Sequence, residues 1–315
     1  MSAAALPVPG PRGGVHELRA GDYRAVICEV GACVNDLELA GRPLLVPSAL
    51  DTHAEAYRGV IVAPWPNRLG DGVYTWDGEE HEVPLNEHER RNALHGLVSF
   101  QRFERADDGS DPARVALRHT LLPSVAYPFT LVLEVEHALD AERGLTTTVT
   151  ARNAGTNDLP YGVCPHPYLV AGASPLDEWT LHVDAARILD VTPDRLLPLE
   201  LRELADDDAL AYRTPREIGA QEIDHAYTAL ARVEGRATIT VEDPAHGTGA
   251  ALEFDESCPW VQIHTADRPE KPSESRRGVA VEPMTCPPDA FRSGTDVIRL
   301  APRAVSVASW SIRGW

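Results

Sequence analysis

Positive charge is what this 315-residue chain is poorest in: 29 lysines and arginines stand against 48 aspartates and glutamates, a net charge of −19. That balance argues against a nucleic acid or an anionic membrane surface as partner, because either demands a basic face. Cysteine is scarce too, with five in all, at 28, 33, 164, 258 and 286. No two of them are spaced as Cys-x-x-Cys, which excludes a zinc ribbon or a thioredoxin-like dithiol. Cys28 and Cys33 lie in an apolar, strand-like run and read as small buried hydrophobes in a reducing compartment. No apolar run approaches the roughly 18 residues of a membrane helix. The first ten residues carry no basic segment followed by a long apolar core, as a secretory signal would. The expectation is a soluble, cytoplasmic protein. Helix signals are also few. Leu199–Leu210, rich in Leu, Glu, Asp and Ala, suits a short helix or an acidic loop.

What is present is strand. In Phe129–Glu136, Phe129, Leu131, Leu133 and Val135 fall on one face and Thr130, Glu134 and Glu136 on the other, which is the period of two of a half-buried strand. Leu145–Arg152 repeats the pattern with threonines that favour a pleated surface. Further strands are expected at Arg114–Leu122, Ala237–Glu242, Trp260–Thr265, Gly278–Val281, Val297–Leu300 and Ala304–Ile312. Turn chemistry separates them, as at Asn153–Asn157 and Pro244–Gly249. Many short strands at about ten-residue spacing predict an all-β fold, a large antiparallel sandwich. Residues 1–14, rich in Pro and Gly, read as a loose leader, and 15–315 as a single β domain. Ala266–Arg277, with its prolines, serines and charges, reads as a mobile surface loop.

The stretch from Ala63 to Gly96 has the densest organisation. Asp77-Gly78 favours the positive φ angles of a type I′ turn, with Tyr74 and Trp76 before it and His81 and Val83 after it. The hairpin would carry Asn67-Arg68 at its entrance and His95-Gly96 beyond its exit. His81, His88 and His95 recur every seven residues, but on a continuous strand an odd spacing turns neighbours to opposite sides, so no metal cluster is expected there.

Elsewhere four places could do chemistry. Cys164-Pro-His166-Pro-Tyr168 holds a histidine in a stiff, extended segment, since proline fixes its own φ and restricts its predecessor. Such a histidine suits proton transfer, and equally a structural turn. In Gly278–Met284 an apolar strand runs to Glu282 and meets Pro283, which would stop it. A carboxylate there is either at work or simply at the water boundary. Asp224 sits in a short apolar context, Ile223-Asp224-His225. Trp260, Gln262 and His264 share one face of a strand, where an indole and an amide would suit a sugar ring.

Taken in order, these motifs resemble the aldose 1-epimerases, the galactose mutarotases. The resemblance rests on Asn67-Arg68-Leu69, Gly72, Tyr74, Leu85-Asn86, Leu94-His95-Gly96, His166-Pro-Tyr168, Ile223-Asp224-His225, Val261-Gln262, Val281-Glu282-Pro283 and Pro288–Phe291, and it spans residues 15 to 313. It implies a supersandwich fold with an open groove and interconversion of the α and β anomers of a free aldohexose, with no metal, nucleotide or other cofactor. It assigns Glu282 as base and His166 as acid, with His95 assisting. Asn67, Arg68, Tyr168, Asp224 and Gln262 would hold the sugar. The implied partner is a small-molecule sugar, and a homodimer is left open. The chain departs from galactose-type members at Gly96-Leu97-Val98 and Leu169-Val170, where hydroxyl contacts are expected. His95-Gly-Leu-Val is similar to the hexose-6-phosphate epimerase branch, for which Arg102 or Arg276-Arg277 could hold phosphate. A non-catalytic sugar-binding protein on the same fold is a further alternative. So is a glycoside hydrolase using Asp224 and Glu282.

Overall fold

A computed structural model describes residues 10–315 of the chain. Its largest element is an antiparallel sheet of nine strands. Their order is Glu104–Arg105, Arg114–Leu121, Leu131–Asp140, Gly144–Asn153, Val305–Gly314, Thr248–Phe254, Ala237–Asp243, Thr180–Val183 and Tyr212–Glu217. A second antiparallel sheet of six strands runs Tyr168–Leu169, Val279–Met284, Trp260–His264, Asp224–Leu230, Ala185–Val191 and Pro198–Glu203. A four-stranded sheet, Val15–Ala20 to Arg42–Pro43, completes the large elements. The all-β expectation holds. The alternation read from 129–136 holds as well: Phe129, Leu131, Leu133 and Val135 are all buried in the main core.

The nine- and six-stranded sheets turn their inner faces to one core. Leu181, Val183 and Ile239 of the first share a cluster with Ile188, Tyr227, Val261, Ile263 and Val281 of the second. Because side chains alternate along a strand, Asp224, Gln262 and Glu282 then fall on the opposite face of the six-stranded sheet. That outer face is covered in two ways. At one end Leu189, Ala226, Trp260 and Met284 pack with Cys28, Cys33, Ala54, Val60, Val62 and Cys164 in a separate apolar cluster. At the other end the face is open and forms a cleft.

Four expectations change. Leu199–Leu210 is neither helix nor loop at its start: Pro198–Glu203 is an edge strand paired with Ala185–Val191. Its side chains are half-exposed on both faces, so no helical or alternating pattern marks it. Pro283 does not end its strand, which runs on to Met284. The N–H groups of Val281 and Thr285 point to the carbonyls of Pro167 and Val163, and a proline between them on that side simply donates nothing. Residues 1–9 of the expected leader lie outside the described residues, but Gly10–Gly14 is fastened. Arg12 is buried and donates to Asn35 Oδ1 at 2.7 Å, and Gly14 N donates to Glu29 Oε2. Finally, the 266–277 segment is laced down by Arg276, which donates to Asp267, Asp177 and the Gly219 carbonyl.

Candidate active site

The hairpin around Asp77-Gly78 forms as read: Val73–Trp76 pairs with Glu79–Glu82, and both turn residues have positive φ, 50° and 85°. Its function here is to bring its flanks together. Arg68–Gly70 pairs with Asn92–Leu94, with Arg68 opposite Leu94. Asn86 reinforces this by accepting from Leu94 N at 2.6 Å and donating to Leu94 O at 2.9 Å. Asn67 is left-handed, φ 54°, a conformation its short polar side chain tolerates. Its carbonyl accepts from His95 N at 2.9 Å and its Oδ1 from Arg68 N at 2.8 Å. Gly96 (φ 64°) cannot be replaced cheaply, because a Cβ there would lie 2.2 Å from the Ala63 carbonyl oxygen. The 288–291 segment clamps the same strand: Asp289 N donates to Arg68 O, and Asp289 Oδ1 accepts from Gly70 N.

His166 is held by its backbone. Its carbonyl accepts from Gly59 N at 2.8 Å and its N–H donates to Val60 O at 3.1 Å, while Cys164–Pro165 pairs with Ile61–Val62. The imidazole Nε2 then lies 3.4 Å from Glu282 Oε1, with both side chains buried. His95 stands edge-on to His166, ring centroids 4.8 Å apart. Across the strands Glu282 faces Gln262, whose Nε2 donates to Asp224 Oδ1 at 2.6 Å. Arg68 donates to Glu87 at 3.0 Å and lies 3.7 Å from Asp224. The structure therefore brings His95, His166, Glu282, Asn67, Arg68, Tyr168, Asp224 and Gln262 to one place. All of them except Gln262, which lies buried just behind, line a cleft of about 550 Å³.

Burial sets the electrostatics. Desolvation, with the nearby Asp224 charge adding to it, pushes the Glu282 carboxyl well above its usual range. Desolvation, helped by repulsion from His264, takes His166 down to about 3. Burial and the neighbouring His166 likewise hold His95 well below the ordinary imidazole value. Asp224 goes the other way. Burial alone would raise it, but His264 and Arg68 hold it low, so it faces the cleft as a carboxylate. In the ligand-free site burial therefore favours the neutral form of both Glu282 and His166.

Several residues stand elsewhere than the sequence suggests. Trp260 is no sugar platform, since it is 3% exposed in the apolar cluster and donates Nε1–H to Asp296 at 2.7 Å. Its partner on that face, His264, does line the cleft. Leu97, Val98, Leu169 and Val170 are absent from the cleft wall. Arg102 pairs with Glu29 and Arg276 with Asp267, so neither faces the cleft. His81 packs between Tyr74 and Phe129. Sequence reading missed Tyr57, whose ring lies 4.5 Å from that of His95 and whose hydroxyl accepts from Asn86 Nδ2 at 3.1 Å. Ala56 and Tyr57 are consecutive left-handed residues, φ 51° and 57°, strain of a kind that accumulates at functional sites. The loop residues Asp267, Arg268, Pro269 and Glu270 were missed as well, and they form one wall of the cleft. Among the described residues His95, His166 and Glu282 also form a group able to hold a metal ion, each offering a ligand atom within 4.8 Å of the others.

A sequence profile of the family described as aldose 1-epimerase matches residues 14–312. The uncharacterized protein YihR of Escherichia coli K12 is 34% identical over 284 residues, covering 90% of this chain and 87% of that one. A galactose mutarotase of Rattus norvegicus is 26% identical, covering 68% and 63% respectively. The crystal structure of the GalM/aldose epimerase homologue from C. elegans superposes with a TM-score of 0.84 at 15% identity, covering 96% of this chain and 98% of that one. The chain belongs to the aldose 1-epimerase family.

Proposed function

We propose that the protein is an aldose 1-epimerase acting on a free aldohexose, with Glu282 and His166 exchanging protons at the anomeric centre. The observation that carries this is the 3.4 Å contact between those two groups, both buried, at the floor of a cleft that Arg68, Asp224 and Asn67 also line. A pure binder has no need of such a pair, because burying a carboxyl beside an imidazole costs stability.

In the reactive form Glu282 is a carboxylate and His166 an imidazolium. Glu282 takes the proton of the anomeric hydroxyl, the C1–O1 carbonyl forms as the C1–O5 bond breaks, and His166 protonates O5. The products of that step are a carboxylic acid and a neutral imidazole. This is the arrangement that burial favours in the sugar-free site. Rotation about C1–C2 presents the other carbonyl face. His166 then takes the O5 proton, O5 attacks C1, and Glu282 returns a proton to O1. Asp224, held ionised, accepts from a sugar hydroxyl. Gln262 Oε1, buried and without a partner, faces the same need. Arg68, fixed by Glu87, donates.

The cleft wall carries six carboxylates against three guanidinium groups, which favours an uncharged sugar over a dianionic one. One observation supports the hexose-6-phosphate alternative: Arg268 lines the cleft and makes no ion pair among the described residues. Polarimetry of freshly dissolved α-D-glucose and α-D-galactose tests the main reading, and NMR exchange of α-D-glucose 6-phosphate tests the alternative. Accelerated equilibration of a free sugar supports the first. Acceleration of the phosphate ester alone would replace it with the second, and sugar binding without any acceleration would leave a binding protein.

A further inference from the structure

We infer that His95, His166 and Glu282 also form a binding site for a divalent transition-metal ion, zinc in the first instance, which occupies the cleft in competition with sugar. Their three donor atoms lie within 4.8 Å of one another, and all three residues are buried. A tetrahedral zinc ion about 2.0–2.1 Å from nitrogen and oxygen donors needs those donors about 3.3–3.4 Å apart. His166 Nε2 and Glu282 Oε1 already stand 3.4 Å apart, so only His95 has to close in. The three side chains come from different segments and all line the cleft, so the fourth position opens to solvent and to ligand.

The donor set decides which ion. Two imidazoles and one carboxylate suit zinc, cobalt or copper, whereas magnesium and calcium take oxygen ligands. The surrounding charge can accept a dication: Asp224 and Glu87 flank Arg68, and Asp267 and Glu270 line the cleft along with Arg268. The site nevertheless lacks the outer support of a resident metal. Ligating histidines ordinarily donate their second ring nitrogen to an acceptor. Here, among the described residues, His166 Nδ1, the nitrogen remote from Glu282, has no hydrogen-bond partner, and neither does His95 Nδ1. The ion is therefore exchangeable, and it acts by occupying the two side chains that the epimerase reading needs free to face the sugar.

The binding half of this inference stands alone, and the inhibitory half rests on the epimerase reading. The test is a titration of the full chain with cobalt(II) chloride, followed by visible absorption. The expected result is one ion per chain with a tetrahedral cobalt band, lost on adding zinc(II) chloride and weakened by saturating galactose. In Glu282→Gln and His166→Asn, affinity is expected to fall at least about tenfold. Zinc should slow mutarotation until EDTA restores it, and magnesium should not. The absence of a cobalt band overturns the inference. So does a band that neither the two variants nor galactose alters, because the ion would then sit on other histidines. Cobalt binding with no mutarotation of any sugar would keep the metal site and remove the epimerase reading. Mutarotation untouched by zinc would keep the epimerase reading and overturn the competition of the ion with sugar.

Discussion

Gln262 stands directly across the strand pair from Glu282 and hydrogen-bonds Asp224 at 2.6 Å, so one amide sits between two carboxyl groups that line the cleft. Among the described residues its buried side-chain oxygen has no hydrogen-bond partner. Gln262→Leu keeps the volume but frees Asp224 and removes an acceptor. A several-fold rise in KM with a smaller change in kcat is expected, since positioning is lost and the proton carriers remain. Steady-state polarimetry over a range of sugar concentrations measures the split.

Glu282→Gln and His166→Asn are expected to lower kcat by about 10²–10⁴-fold, the usual worth of a general acid or base. Sugar binding, followed by calorimetry, should survive in both. Near-normal turnover in either variant would dismiss the assigned pair.

Tyr57→Ala removes the ring beside His95 and one wall of the cleft, and KM is expected to rise by about tenfold or more. Trp260→Phe loses the bond to Asp296 and part of the indole's packing in the apolar cluster, away from the cleft wall. It should cost about 1–2 kcal/mol in denaturant unfolding while leaving KM unchanged. If the two variants behaved the opposite way, the indole and not the phenol would face the sugar.

Gly96→Ala forces a Cβ against the Ala63 carbonyl at positive φ. A loss of about 2–4 kcal/mol is expected. Turnover at low temperature should fall too, because His95 follows its neighbour. Urea melts of the variant and parent provide the comparison.

Acid should destabilise the fold before ordinary carboxylates titrate. Burial lowers His95, His137 (to about 4) and His166 (to about 3) in the native state. Below about pH 6.5 the unfolded chain takes up protons at these positions that the native chain refuses. Stability therefore rises with pH through this window and is lost as pH falls. Glu282 opposes part of this, because its raised native value makes the folded state the better proton acceptor there. A net slope of roughly 1–3 kcal/mol per pH unit between pH 6 and 4.5 follows. Thermal melts of the parent and His137→Gln should show a shallower slope in the variant, which lies in the core rather than in the cleft.

The sandwich was legible because period-two alternation in Leu131–Asp140 and Gly144–Asn153 encodes one buried face directly. The ordered motifs picked out eight residues that the structure brings to one cleft, and it was their order and spacing that counted, helped by local features such as the Pro-His-Pro run and the glycine after His95. Trp260 was misread because strand parity places it with Gln262 and His264. Parity does not reveal that Leu189 and Met284 seal one end of that face. Tyr57 and Arg268 carry no sequence signal of their own. Both are set outside the strands, and their direction depends on contacts between residues 29 and 216 apart in sequence, such as Asn86 to Tyr57 and Arg58 to Glu274. Pro198–Glu203 escaped because an edge strand half-exposed on both faces shows no periodicity.

Val305–Gly314 lies between Gly144–Asn153 and Thr248–Phe254 in the middle of the nine-stranded sheet. During synthesis on the ribosome those two older strands must wait, with unpaired edges, until residues 305–314 emerge. Pairing in the middle of the sheet is thus deferred until residues 305–314 have been made. It depends on contacts of very long sequence separation, a topology that folds slowly and exposes sticky edges meanwhile.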